Sequence, residues 1–223
     1  MDLSRPDGRH AAVLRARRVI WDFDGPLCGL FDGYPATDVA DELLASAPEA
    51  PAELQGATDT HVVVRALPRL EPLLAAHEIE AAATAAPTPG SDELVAVLLT
   101  HGATFAVASN NCAAAVRKHL ADRGLLGEAF PPEAIFGREP DGVGRMKPDP
   151  YVVVQAMGGH PPAECLMIGD SVADVAAARA AGVGFVGYAN REEKVRLLRD
   201  AGAQWVVRHL DELTRALPPT PSR

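Results

Sequence analysis

From Gly90 onward, short β-prone runs alternate with stretches of helical composition, and this alternation restricts the fold more than any other feature of the 223-residue chain. Residues 103–109 (ATFAVAS) precede a helix from Asn111, and residues 134–137 (AIFG) precede a helix after Pro150. Residues 165–170 (CLMIGD) lead into a helix to Ala181, residues 183–188 (VGFVGY) into a helix from Arg191, and residues 203–207 (AQWVV) close the series. Strands separated by helices in this way pair in parallel, because the chain must cross back over the sheet between them. The reading is therefore an α/β fold, a parallel sheet with helices on both faces, and residues 18–23 (RVIWDF) supply one more strand.

Between that first strand and Gly90 the pattern changes. Residues 37–47 (TDVADELLASA) and 61–86 are helical in composition, with Pro68 and Pro72 fitting helix starts or kinks. Residues 31–88 thus form an all-helical insertion, and residues 1–30 and 89–223 form the α/β core. Residues 30–88 contain ten acids against Arg65 and Arg69 alone, which accounts for eight of the nine net negative charges. With no basic stripe in the chain, a nucleic-acid partner is disfavoured. At 48% hydrophobic residues the chain can bury a sizeable core, yet its apolar runs are too short to span a bilayer. The N-terminal segment has five arginines and no apolar block, so it reads as a frayed arm, and the chain as cytoplasmic with no membrane partner. Three cysteines, Cys28, Cys112 and Cys165, without ligand spacing fit reduced thiols.

In an open parallel sheet, ligands bind beyond the carboxyl ends of the strands. Asp22, Ser109 and Asp170 each end a strand, so all three should meet in one crevice, with Asp24 two residues on and Lys147 nearby in RMKPDP. Each residue alone could be a helix cap. Several aspartates with a lysine in one crevice are harder to explain that way, since buried carboxylates need a charged or hydrogen-bonding partner. His61, His77, His101, His119, His160 and His209 lack ligand spacing and read as surface or packing residues.

DFDGPL, VASN, the lysine of MKPDP and IGDSVAD occur in this order, with the helical insertion after the first. Together they resemble the haloacid dehalogenase-like superfamily, specifically its magnesium-dependent, phosphoglycolate phosphatase-like members, over most of the chain. The resemblance implies a Rossmann-like core with a helical cap at 31–88, and hydrolysis of a small phosphorylated metabolite through an aspartyl-phosphate. It makes Asp22 the nucleophile and Asp24 the general acid and base, with Gly25 turning Asp24 back toward the pocket. It assigns Mg2+ to the Asp22 carboxylate, the Asp24 carbonyl and Asp170. Ser109, Asn110 and Lys147 would hold phosphate, and Asp174 would orient Lys147 or a metal-bound water. The residue after Asp-x-Asp-Gly is commonly Thr or Val in these phosphatases and is Pro26 here, which bears on movement of the cap more than on chemistry.

Asp24 argues against a dehalogenase, which has no alkoxide to protonate, and the insertion contains no lysine for a phosphonate-cleaving Schiff base. A sugar phosphomutase of the same superfamily and a non-catalytic phosphate-sensing domain remain as alternatives.

Overall fold

The computed structural model describes residues 13, 15–215 and 217; the N-terminal arm through residue 12 and the Pro-rich tail after Leu217 lie outside the described residues. Its core is a six-stranded parallel sheet built from β1 (Arg18–Trp21), β4 (Thr104–Cys112), β5 (Ile135–Arg138), β6 (Cys165–Gly169), β7 (Gly184–Tyr188) and β8 (Trp205–Val207), in the order β5-β4-β1-β6-β7-β8. The first strand lies at the centre, between β4 and β6. The chain therefore builds outward on one side of β1, then returns to build on the other, and β1 marks the switch point where ligands collect in such sheets.

Side-chain alternation explains why these runs are nearly continuously apolar. Val19 and Trp21 of β1, Phe105 and Val107 of β4, and Leu166 and Ile168 of β6 face one apolar layer. Ile20, Ala106, Ala108, Cys165 and Met167 face the other. Successive residues of a strand point to opposite faces, so a sheet covered on both sides needs apolar residues at every position. The first layer is closed by α4 (Ser91–Thr100) and α5 (Ala113–Asp122), the second by α6 (Tyr151–Ala156) and α7 (Val172–Ala181). Helices α8 (Glu192–Asp200) and α9 (Asp211–Thr214) flank the later strands.

Between β1 and α4 the chain leaves and re-enters through a short antiparallel pair, β2 (Cys28–Gly29) and β3 (Ala86–Pro87). The segment between them holds α1 (Ala36–Ala45), α2 (Thr60–Ala66) and α3 (Glu71–Ala82). The helical run expected over 61–86 divides at Leu67 into α2, a 3-10 turn at Pro68–Leu70, and α3. Both prolines sit in first-turn positions, where a missing N–H leaves no hydrogen bond unmade. Val39, Leu43, Val63, Val64, Leu70 and Leu74 form a local core that also takes Val143 and Met146 from the α/β part. No helix among the described residues is long and apolar enough to cross a membrane.

Candidate active site

Register places the catalytic candidates. Trp21 is level with Val107 of β4 and Ile168 of β6; β4 runs on through Ser109, expected to end it, to Cys112, while Asp22 after β1 and Asp170 after β6 emerge at one edge of the sheet. Asp22 leaves β1 there, its amide donating to Ile168 O at 2.8 Å and its Oδ1 accepting from Phe23 N at 2.8 Å. The chain then turns, with Cys28 N returning to Phe23 O at 3.2 Å and Gly25 N to Cys28 O at 2.7 Å. Pro26 is buried in this turn. Gly25 has φ +109°, and a Cβ at this residue would overlap the Asp170 carboxylate. Only glycine tolerates both the conformation and the approach.

Lys147 is 3% exposed, and its ammonium lies 2.7 Å from Asp22 Oδ1 and 2.6 Å from Asp174 Oδ1 while donating to Ala108 O at 2.8 Å. Asp174 does two jobs. Its Oδ2 accepts from Ser171 N at 2.9 Å and Asp170 N at 3.0 Å, closing a capping box with Ser171 at the start of α7, while its Oδ1 faces the lysine. Asp170 is paired with Lys194 of α8. Asp24 Oδ1 accepts from Leu30 N at 2.9 Å.

These groups differ electrostatically. Burial and the adjacent Asp174 push the Asp22 carboxyl well above its usual range, while Lys147 pulls it back. Burial raises Asp24 as well, opposed by the Leu30 amide. Burial also lifts Asp170, to about 6, against the pull of Lys194. Asp174 goes the other way: burial would raise it, but Lys147 and Ser171 outweigh that cost and hold it low. Lys147 is raised by its two carboxylates despite burial.

A cleft of about 300 Å³ opens over this floor, lined by Asp22, Asp24, Asn110, Lys147 and Asp170 on one side and by Phe31, Thr58, Asp59 and His61 of the helical segment on the other. Five sequence candidates therefore share one cleft, and Asp174 stands directly behind them. Ser109 does not line it. Its hydroxyl is buried, donates to Asn111 Oδ1 at 3.0 Å and accepts from Asn111 N at 3.1 Å, so Asn110 and Asn111 line the cleft in its place. Asn110 instead grips the Lys147 main chain, accepting from its N at 2.7 Å and donating to its O at 3.0 Å.

Other residues were not legible as site residues. His61, expected to be surface or packing, lines the cleft because Asp59 caps α2, accepting from His61 N at 2.8 Å and Val62 N at 3.3 Å. Lys194 lies in a helix of mixed charge with nothing local to single it out. Two acids of residues 30–88, Glu71 and Glu78, are buried against Arg138. Neither arginine of the insertion lines the cleft; Arg65 donates to Lys147 O at 3.2 Å and Arg69 pairs with Glu49.

Carboxylate oxygens of Asp22, Asp170 and Asp174 lie within 4.8 Å of one another. An all-oxygen, multiply anionic set of this kind suits a hard divalent cation. Because both Asp174 oxygens are engaged, Asp22 and Asp170 are the carboxylates left to face such an ion, and the residues present fit it.

A family model of haloacid dehalogenase-like hydrolases matches residues 16–182. A bifunctional riboflavin kinase/FMN phosphatase from Arabidopsis thaliana is 29% identical over 113 residues, 51% of this chain and only 29% of the length of that protein. The structure of a predicted phosphatase from Clostridium acetobutylicum superposes with a TM-score of 0.69 at 20% identity, covering 90% of this chain and 97% of that one. A hydrolase of this family from Deinococcus radiodurans, solved with bound phosphate and sodium, superposes with a TM-score of 0.62 at 25% identity, covering 91% and 95%. The family match over residues 16–182, on a chain with this acidic, lysine-bearing cleft at the switch point of its sheet, establishes that the chain belongs to the haloacid dehalogenase-like hydrolases.

Proposed function

We propose that this chain is a magnesium-dependent phosphatase that hydrolyses a small phosphate monoester, with residues 31–88 acting as a cap over the cleft. The observation that carries this reading is the Lys147 ammonium, wedged 2.7 Å from Asp22 and 2.6 Å from Asp174 at the floor of the cleft. A carboxylate can attack a phosphoryl group only if their mutual repulsion is neutralised, and a lysine held at that carboxylate does this.

Asp22 attacks phosphorus with a carboxylate oxygen, and the bond from phosphorus to the ester oxygen breaks. Asp24 gives its proton to the leaving alkoxide. Its carboxyl is raised above its ordinary value, chiefly by burial and against the Leu30 amide, which favours the protonated form that a general acid needs. Water then attacks phosphorus, Asp24 takes a proton from it, and Asp22 departs as carboxylate, leaving inorganic phosphate. Lys147 supplies positive charge, and the amide hydrogens of Asn110 and Asn111 that Lys147 O and Glu78 do not engage supply donors to the phosphoryl oxygens. Mg2+, held by Asp22, Asp170 and the Asp24 carbonyl, would add further neutralisation of phosphoryl charge when bound.

The test is phosphate release from p-nitrophenyl phosphate after chelation and again after magnesium is restored. Turnover that vanishes and returns supports the reading. Turnover indifferent to chelation removes the metal from it, and none under either condition removes the phosphatase.

A further inference from the structure

Beyond the acidic floor, the most deeply buried charges among the described residues form a second cluster that the chemistry above does not use. Glu78 of α3 and Arg138 at the end of β5 have side chains with 0% exposure, and Glu71 of α3 has one with 4%. Arg138 Nη1 and Nη2 donate to Glu78 Oε1 and Oε2 at 2.9 and 2.8 Å, and its Nε donates to Glu71 Oε1 at 3.2 Å. Burying such charges costs several kcal/mol per ion before they pair, so packing alone does not account for them.

Both partners reach on toward the cleft. Glu78 Oε1 accepts from Asn111 Nδ2 at 3.1 Å and Oε2 from Cys112 N at 2.7 Å, and His61 Nε2 stands 3.7 Å from Oε1. Arg138 Nη1 donates to Asn110 O at 2.6 Å. Asn110 grips the Lys147 main chain at both N and O, and Arg65 of α2 donates to the same Lys147 carbonyl. An unbroken chain of hydrogen bonds thus runs from the helical insertion to the residue whose ammonium touches Asp22.

Resting on the phosphatase reading, we propose that Glu78 and Arg138 are a positioning pair, which transmits the placement of the insertion to Asn110, Asn111 and Lys147 and so sets how tightly phosphate is held. Glu78 sits on a helix of the insertion and is hydrogen-bonded to Asn111 and Cys112 of β4 and to Arg138 of β5. α3 therefore stays with the sheet when phosphate is bound, and loss of the pair loosens the phosphate-binding donors before it alters Asp22 or Asp24.

The experiment compares Glu78→Gln, Arg138→Lys and the triple variant Glu71→Gln/Glu78→Met/Arg138→Met. Melting temperature, binding of inorganic phosphate by calorimetry, and kcat and KM on p-nitrophenyl phosphate are measured for each. Glu78→Gln and Arg138→Lys are expected to weaken phosphate binding about tenfold and raise KM in parallel, the size of a typical network coupling. Arg138→Lys keeps the charge but cannot bridge Glu78 and Asn110 O together. The triple variant removes the uncompensated charges, so its melting temperature should return toward that of the unsubstituted protein, with phosphate binding still about tenfold weaker. A triple variant that regains stability and phosphate affinity together, or an Arg138→Lys variant with unaltered phosphate affinity, would overturn the proposal. Absence of turnover in the unsubstituted protein overturns the phosphatase reading instead.

Discussion

Replacing Lys147 by methionine keeps the stem of the side chain and removes the charge at its tip. The ammonium it deletes lies 2.7 Å from Asp22 and 2.6 Å from Asp174, carboxylates that are 7% and 0% exposed. Breaking a buried ion pair costs about 3–5 kcal/mol, because a charge is left without compensation. For a chain of this length, that loss lowers the melting temperature by roughly 6–20 °C. The pH dependence follows in sign. With Lys147 present, Asp174 is held below its ordinary value, so this contribution is present above the carboxylate range and lost as pH falls through the folded-state pKa. Without Lys147, burial and the Asp22–Asp174 repulsion raise both carboxyls above their unfolded values, so the variant takes up protons on folding and gains relative stability as pH falls. The stability gap should be widest near pH 7–8 and narrow toward pH 4, measured by urea unfolding at fixed ionic strength. A gap below about 1 kcal/mol at pH 7, or one constant over that range, would refute the account of this lysine as the counter-charge of a buried dyad.

Gly25→Ala introduces a side chain at φ +109° and against the Asp170 carboxylate; it should lose about 1–3 kcal/mol of stability and, with Asp170 in the proposed magnesium site, most of the magnesium affinity expected there, read by thermal unfolding and metal titration. Among the residues lining the cleft, Lys147 is the one lysine or arginine, while Asp59 lies on the insertion side. Esters with a neutral leaving group should therefore exceed size-matched carboxylate-bearing ones in kcat/KM by roughly fivefold, about 1 kcal/mol of repulsion, and high salt should shrink the preference. Burial would raise the Glu78 carboxyl, but His61 and Arg138 bring it down to about 2 from an ordinary 4.5, so its contribution of about 3 kcal/mol is present above pH 4.5 and lost toward pH 2. Glu78→Gln should flatten that acid limb of the unfolding curve, and an unchanged limb would contradict the assignment.

The parallel sheet was readable because a sheet covered on both faces makes each strand a short apolar run, and such runs stand out between helices. Asp22 and Asp170 were readable because strand ends in this topology converge whatever the intervening loops do, whereas Lys147, in the loop after β5, was singled out by its MKPDP motif. The orientation of Ser109 was not, since its side-chain partner, Asn111, could equally have faced elsewhere. Glu78 and Arg138 are 60 residues apart and belong to different layers. In the sequence, Glu78 is one acid among ten in an acidic segment, and only the packing of α3 beside β4 shows that it points inward. His61 became a cleft residue through the cap that starts α2, which fixes where the helix begins and so which way the ring projects. Lys194 pairs with Asp170 across the gap between β6 and α8, a contact that no local periodicity encodes.

The central claim is that the Asp22 carboxylate attacks the phosphoryl group. It is tested most directly by phosphate release from a panel of small phosphomonoesters, with magnesium, by the unsubstituted protein and by Asp22→Asn at equal folded concentration. The amide keeps the shape of the side chain and is a poor nucleophile, so the variant should fold and lose at least about a thousandfold in kcat on the best ester of the panel. An Asp22→Asn protein that releases phosphate at the unsubstituted rate would contradict the claim.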